Sequence, residues 1–205
     1  MCNIKVKRIG AYIIDYLFVF LLITMLSQIR VLNPSYEEYA ESYVRYEEIM
    51  DDLTVDNAVE IAKSKEYMQV NYDLSRYSVS ISIISLVVYL AYFVGFQKWN
   101  NNQTLGKKLF NIQVVGNENK KVGWLQLLWR EVVLYNLIWE VLAIVSIWVF
   151  NYEGYMYASS LLTFIAGAII WVNIFFVVIR NDSRGIHDLL AKTKVVERDE
   201  DNGNR

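Results

Sequence analysis

Residues 9–29 of this chain read IGAYIIDYLFVFLLITMLSQI, a run apolar enough to cross a bilayer, and three later runs share that property. The hydrocarbon core is about 30 Å thick, so a helical span needs about 20 mostly apolar residues. Four stretches meet this: 9–29, 77–96, 124–150 and 158–179. Inside lipid every backbone polar group must be satisfied within the segment, which restricts such stretches to helices. The predicted fold class is therefore an all-α membrane protein, a four-transmembrane-helix bundle. The composition agrees, since 55% of the residues are hydrophobic while 20% are charged. The first run follows Lys5, Lys7 and Arg8 as a signal peptide would, but it is a full span with no small-x-small site after it, so it reads as an uncleaved anchor.

Basic residues near the spans set the orientation. The N-terminus, the loop 97–123 and the tail 180–205 carry fourteen lysines and arginines together, whereas 30–76 and 151–157 carry five basic residues against twelve acids. This places both termini and the middle loop in the cytoplasm, and 30–76 outside. The outer segment begins with the helix-start signal Asn33-Pro34, then repeats Tyr36, Tyr39, Tyr43, Tyr46, Met50 and Leu53 at helical spacing. Thr54 is expected to cap a second short helix through about Met68, and Asp73 or Ser75 the second span. An extracytoplasmic helical insertion resting on its tyrosines is the simpler reading; a partner-binding acidic cap is the other.

Two short alternating segments stand out on the cytoplasmic side. Ile112-Gln113-Val114-Val115 and Thr193-Lys194-Val195-Val196 are expected to pair as a short β-ribbon, which needs support because isolated two-stranded ribbons are marginal. Before the first lies an amphipathic turn with Lys107 and Lys108 directed at phosphates. The tail 197–205 has no apolar content and is expected to be disordered, leaving 1–196 as one domain.

Ionisable residues inside a span mark functional or pinning sites. Counted from the cytoplasmic ends of their spans, Asp15, Arg130 and Asn173 fall about 9 Å deep at 1.5 Å per residue, with Tyr89 near them. Arg8 stands about 10.5 Å from Asp15 along the same helix, far for an ion pair. Arg130 is therefore the expected partner of Asp15, leaving Arg8 to meet Asp182 or Asp188; an Asp15–Arg8 pairing stays open. Glu140 sits mid-span with no cation at its depth. The expected intramembrane polar core is Arg8, Asp15, Arg130, Glu140 and Asn173. The cytoplasmic motif is Asp182, Arg184, His187 and Asp188, with Arg180 and Arg184 available to anionic headgroups. Catalytic, cofactor and metal sites are not expected. One cysteine and one histidine make no zinc set, and His187-Asp188 lacks a nucleophile or phosphate loop.

Three blocks carry a resemblance: Arg8-Ile9-Gly10-Ala11-Tyr12-Ile13-Ile14-Asp15, Gln103-Thr104-Leu105-Gly106-Lys107-Lys108-Leu109-Phe110-Asn111-Ile112, and Arg184-Gly185-Ile186-His187-Asp188-Leu189-Leu190-Ala191-Lys192-Thr193-Lys194-Val195-Val196. In this order around spans they resemble the RDD family of bacterial membrane proteins, named for an arginine and two aspartates, here Arg8, Asp15 and Asp188. A glycine is more usual in the family where Asn111 stands, and 33–75 looks like an insertion. The resemblance implies a multi-pass protein of the bacterial cytoplasmic membrane with a transport-related role, cation/proton antiport being implied for some members. The leading expectation is small-cation/proton exchange through the polar core. The alternative is a non-transporting adaptor, accessory or resistance factor acting through its acidic outer helices. Expected partners are the lipid bilayer, monovalent cations or protons, and a membrane protein or second copy of the chain; nucleic acid is not expected.

Overall fold

The computed structural model describes residues 3–117 and 120–198. Three helices among them are long and apolar enough to cross a membrane: Ile4–Ser27, Val79–Trp99 and Tyr152–Ile179. The first is α1 and the last α10. The second is composite, formed by α5 (Val79–Tyr89), a π-helical turn Leu90–Phe96 and the short α6 (Gln97–Trp99). The third expected span, 124–150, is not one helix. It breaks between α8 (Trp124–Leu134) and α9 (Leu137–Val149), which reach span length only when taken together. Asn136 lies in the break at φ 55°, a left-handed conformation that asparagine tolerates better than most residues.

The chain's contacts divide it into two units. The first comprises residues 1–23, 86–137 and 167–205, and the second 24–85 and 138–166.

In the first unit, α7 (Leu105–Leu109) leads into strand β1 (Ile112–Gly116), and α11 (Ile186–Leu190) leads into β2 (Thr193–Glu197). The strands pair antiparallel with Val114 opposite Val195, which is the expected ribbon. The support it needs is present: Ile112, Val114 and Val195 are buried with Ala11 of α1, Val94, Val122 and Leu127 of α8. Asn111, at the turn before β1, has φ 52°. That left-handed geometry explains why glycine is usual there and why asparagine can replace it. The expected disorder over 197–205 falls mostly outside the described residues. Glu197 ends β2 and pairs with Lys7 at 2.8 Å, and Arg198 donates to Gln103 Oε1 at 2.9 Å.

In the second unit the segment expected as an insertion folds into α2 (Tyr36–Asp51), α3 (Ala58–Lys63) and α4 (Lys65–Tyr77). The tyrosine stripe is packing surface, with Tyr39, Tyr43, Tyr46 and Tyr67 stepping from α2 to α4 at centroid spacings of 6.3–6.5 Å. The expected caps differ. Helix α2 starts after Ser35, and Asn33 instead donates to Ser27 O and accepts from Ser80 Oγ, tying the loop to both adjoining helices. Thr54 and Asn57 bond each other reciprocally in the turn before α3, and it is Ser64 that caps α4 by accepting from Tyr67 N. Asp73 caps nothing; it accepts from Gln69 and lies 3.6 Å from Arg45.

Candidate functional site

The polar residues of the first unit form two adjoining clusters. The first surrounds Asp15, which is 2% exposed on α1. Its Oδ1 accepts from Tyr92 Oη at 2.7 Å and Gly106 N at 2.8 Å, and its Oδ2 accepts from Thr104 Oγ1 at 2.5 Å. None of these donors is Arg130, so the expected Asp15–Arg130 pair is corrected, and Arg8 is not the partner either. The donors come from the π-helical turn and from the loop after it. Thr104 caps α7, accepting from Lys107 N, so the carboxylate lies at the start of that helix, where exposed amides favour negative charge. Gly106 makes the approach possible: a β-carbon there would lie 2.3 Å from Ala11 O of α1. The two blocks 8–15 and 103–112 thus belong together because one docks, backbone against backbone, on the other.

The second cluster surrounds Asp188, which is fully buried on α11. Arg8 Nη2 reaches its Oδ2 at 2.7 Å, and Arg130 Nε reaches its Oδ1 at 3.0 Å. Thr193 Oγ1 and Gly185 N–H also approach it. Arg8 donates further to Ser183 O, and Arg130 Nη1 lies 2.5 Å from Glu131 Oε1. Of the two partners expected for Arg8, Asp188 is therefore the one it meets. Asp182 instead pairs with Arg180 at the surface, where that guanidinium holds its carboxyl down at about 2. Arg184 points to Thr193 O and Asn117 Oδ1, fastening the ribbon.

His187 is 3% exposed, and burial pushes its proton affinity below the ordinary value, with Arg130 and Arg8 adding to the effect against Asp188. Its tautomer follows from Asn173. The Oδ1 of Asn173 accepts from the backbone N–H of His187, which can only donate, so Oδ1 also accepts from ring Nδ1 at 3.0 Å. Nε2 lies between Arg8 Nη2 at 3.4 Å and Asp188 Oδ2 at 3.3 Å.

A chain of buried polar groups joins the two clusters. Lys107, expected to reach for phosphates, is instead 8% exposed and donates to Gln97 Oε1 at 2.5 Å; Gln97 Nε2 faces Glu131 Oε1 at 3.4 Å. The π-turn supports this by letting Gln97 N–H bond Tyr92 O, five residues back, so that both side chains are buried. Burial lowers the Lys107 ammonium to about 8. This predicts a pH effect of definite sign. Between about 8 and its ordinary value of 10.5 the unfolded chain holds a proton that the folded chain has released, so this group's contribution to stability rises with pH across that window. The melting temperature of wild type minus that of Lys107→Met should increase from pH 8 to 10.5; a flat or falling difference would refute the assignment.

Beside these clusters is a cavity of about 540 Å3, lined by Arg8, Asp15, Lys107, Arg130, Asn173 and His187, with Tyr89 and an apolar, tyrosine-rich wall. Arg8, Asp15, Arg130 and Asn173 of the expected core thus meet at one space. Glu140 makes none of these contacts; it stands half-buried on α9 in the second unit. Gln97, Thr104, Gly106, Lys107 and Glu131 were not expected to take part. Only two carried a usable signal: Glu131, a second intramembrane charge beside Arg130, and Thr104, a capping residue before Leu105-Gly106-Lys107.

No curated protein and no solved structure matches the chain. A family model described as the RDD family matches residues 5–192, a span that holds the first two blocks, the third as far as Lys192, and both clusters apart from Thr193. Several apolar helices and a match over nearly its whole length make this chain a multi-pass membrane protein belonging to the RDD family.

Proposed function

We propose that the protein acts in membrane transport, exchanging protons for small cations through the cavity of its first unit. It does so as a four-span protein with α8 and α9 forming one broken span. Both termini and the 97–123 loop lie in the cytoplasm, on the positive-inside argument. The observation that carries the reading is the lining itself: Arg8, Asp15, Lys107, Arg130 and His187 converge on one space from two membrane helices and two cytoplasmic segments. Charged groups at such a place usually mark an ion or proton path. Lys107, lowered to about 8, can exchange a proton near physiological pH. Its deprotonation removes one positive charge from the lining beside Asp15, which favours entry of a cation, and reprotonation reverses this.

Liposomes carrying the protein and a pH dye should show proton movement on Na⁺ or K⁺ addition. Lys107→Arg, which keeps the charge but not the exchangeable proton, should abolish it in folded protein. Full activity in Lys107→Arg, or none in folded wild type, would refute the reading. A second reading has one observation in its favour. Glu37, Glu38, Glu41, Glu47 and Glu48 are all exposed on α2, an acidic face open to a partner protein. Silent liposomes combined with specific crosslinks from this face would favour the adaptor.

A further inference from the structure

We infer that the same cavity seats the phosphate headgroup of an anionic membrane lipid, which enters from the bilayer between α1 and α10. This goes beyond the transport reading and does not depend on it. Three features of the site converge.

The first is charge. The lining contains Arg8, Lys107 and Arg130 against one acid, Asp15, while Asp188 and Glu131, which balance the arginines, lie behind the lining. His187 also lines the space, with its proton affinity lowered by burial. The cations therefore face the space, while two of the three acids that balance them do not.

The second is an unused donor. Asn173 is 5% exposed and lines the cavity, and its Nδ2 has no hydrogen-bond partner among the described residues. The amide cannot be turned to relieve this, because the backbone N–H of His187 requires an oxygen opposite it. A buried donor left unmade is costly, and a phosphate oxygen is the acceptor that both the donor and the surrounding charge favour.

The third is the wall. Ile9, Tyr12 and Tyr16 on α1 and Ile170, Ile174 and Val178 on α10 line the cavity and are each 44–58% exposed. In a span such exposure is toward lipid, so the polar floor continues into an apolar slot open to the hydrocarbon. A soluble anion would use the floor alone. An amphiphile uses both, with its acyl chains along the isoleucines and the tyrosines near its glycerol. The volume is within the usual range for a ligand pocket.

The test uses the purified full-length protein in neutral detergent. Native mass spectrometry and thermal shift would be read while titrating short-chain phosphatidylglycerol, phosphatidylcholine or glycerol phosphate. Phosphatidylglycerol should bind about tenfold more tightly than phosphatidylcholine, whose headgroup brings a choline cation against Arg8, Lys107 and Arg130 of the lining. Asn173→Leu, which removes a donor to the phosphate, should weaken phosphatidylglycerol binding by about tenfold, the worth of one charge-assisted hydrogen bond. Ile174→Trp, which fills the slot from an exposed position and leaves every polar contact in place, should weaken phosphatidylglycerol binding by a similar factor. Equal binding of the two lipids would overturn the inference. So would unchanged phosphatidylglycerol binding in Ile174→Trp, which decides the matter if Asn173→Leu fails to fold. Glycerol phosphate binding as tightly as the lipid would also overturn it, identifying a site for a free phosphate.

Discussion

Asp188→Asn is expected to lower the stability of the detergent-solubilised protein by about 3–5 kcal/mol, the usual cost of removing one partner of a buried ion pair. The side chain is fully buried and serves Arg8 at 2.7 Å and Arg130 at 3.0 Å. Asparagine keeps the size and one acceptor oxygen but removes the charge. Arg8 sits on α1 and Arg130 on α8, while Asp188 belongs to the short α11 after the last span. One carboxylate therefore joins three separate parts of the chain, and its loss leaves Arg8 without its carboxylate and Arg130 with Glu131 alone. Removing an arginine at the same time should cost less than the sum: Arg8→Gln combined with Asp188→Asn relieves part of the unpaired charge. Thermal melting of the four proteins gives the coupling. A single-mutant shift below about 2 °C, the scale of less than 1 kcal/mol for a chain of this size, would show that the ion pairs contribute little.

The apolar helices and the ribbon could be read from the chain because each depends on a local pattern. A span needs uniform hydropathy, and 9–29 and 158–179 have it. The ribbon needs alternation, and 112–115 and 193–196 have it. The polar pairing was harder. Counting residues inward gives the height of Asp15, Arg130 and Asn173 in the membrane, and all three do line one cavity. Height says nothing about the direction each side chain takes, nor about loops that fold back against the spans. Asp15 is satisfied by Thr104 and Gly106, which follow a span rather than lie in one. That freed Arg130 for Asp188. The break at Asn136 and the π-turn at 90–96 were equally hidden: neither contains proline, and hydropathy does not register an extra residue per turn. Lys107 misled in the other direction. A lysine beside Lys108 in a cytoplasmic loop reads as a solvated charge, and only the docking of α7 on α1 buries it.

That docking carries the second large effect. Gly106→Ala should destabilise the protein by about 1–3 kcal/mol through overpacking, because the added carbon would meet Ala11 O at 2.3 Å and neither backbone can yield freely. Asp15→Ala should cost at least as much. It leaves Tyr92 Oη, Thr104 Oγ1 and Gly106 N without their acceptor in a buried setting, at about 1–3 kcal/mol for each donor left unsatisfied. Both substitutions act on one junction, since displacing Gly106 by the width of a methyl group also lengthens its bond to Asp15. The double variant should therefore melt close to the worse single variant rather than at the sum of the two losses. Gly10 provides the comparison. A β-carbon there meets the ring of Phe110, a side chain that can rotate, at 2.4 Å. Gly10→Ala should accordingly cost less than Gly106→Ala and add to Asp15→Ala more independently. If Gly106→Ala and Asp15→Ala proved strictly additive, the carboxylate and the helix–loop contact would be separate features that happen to be neighbours, and the pairing of the two sequence blocks would need another cause.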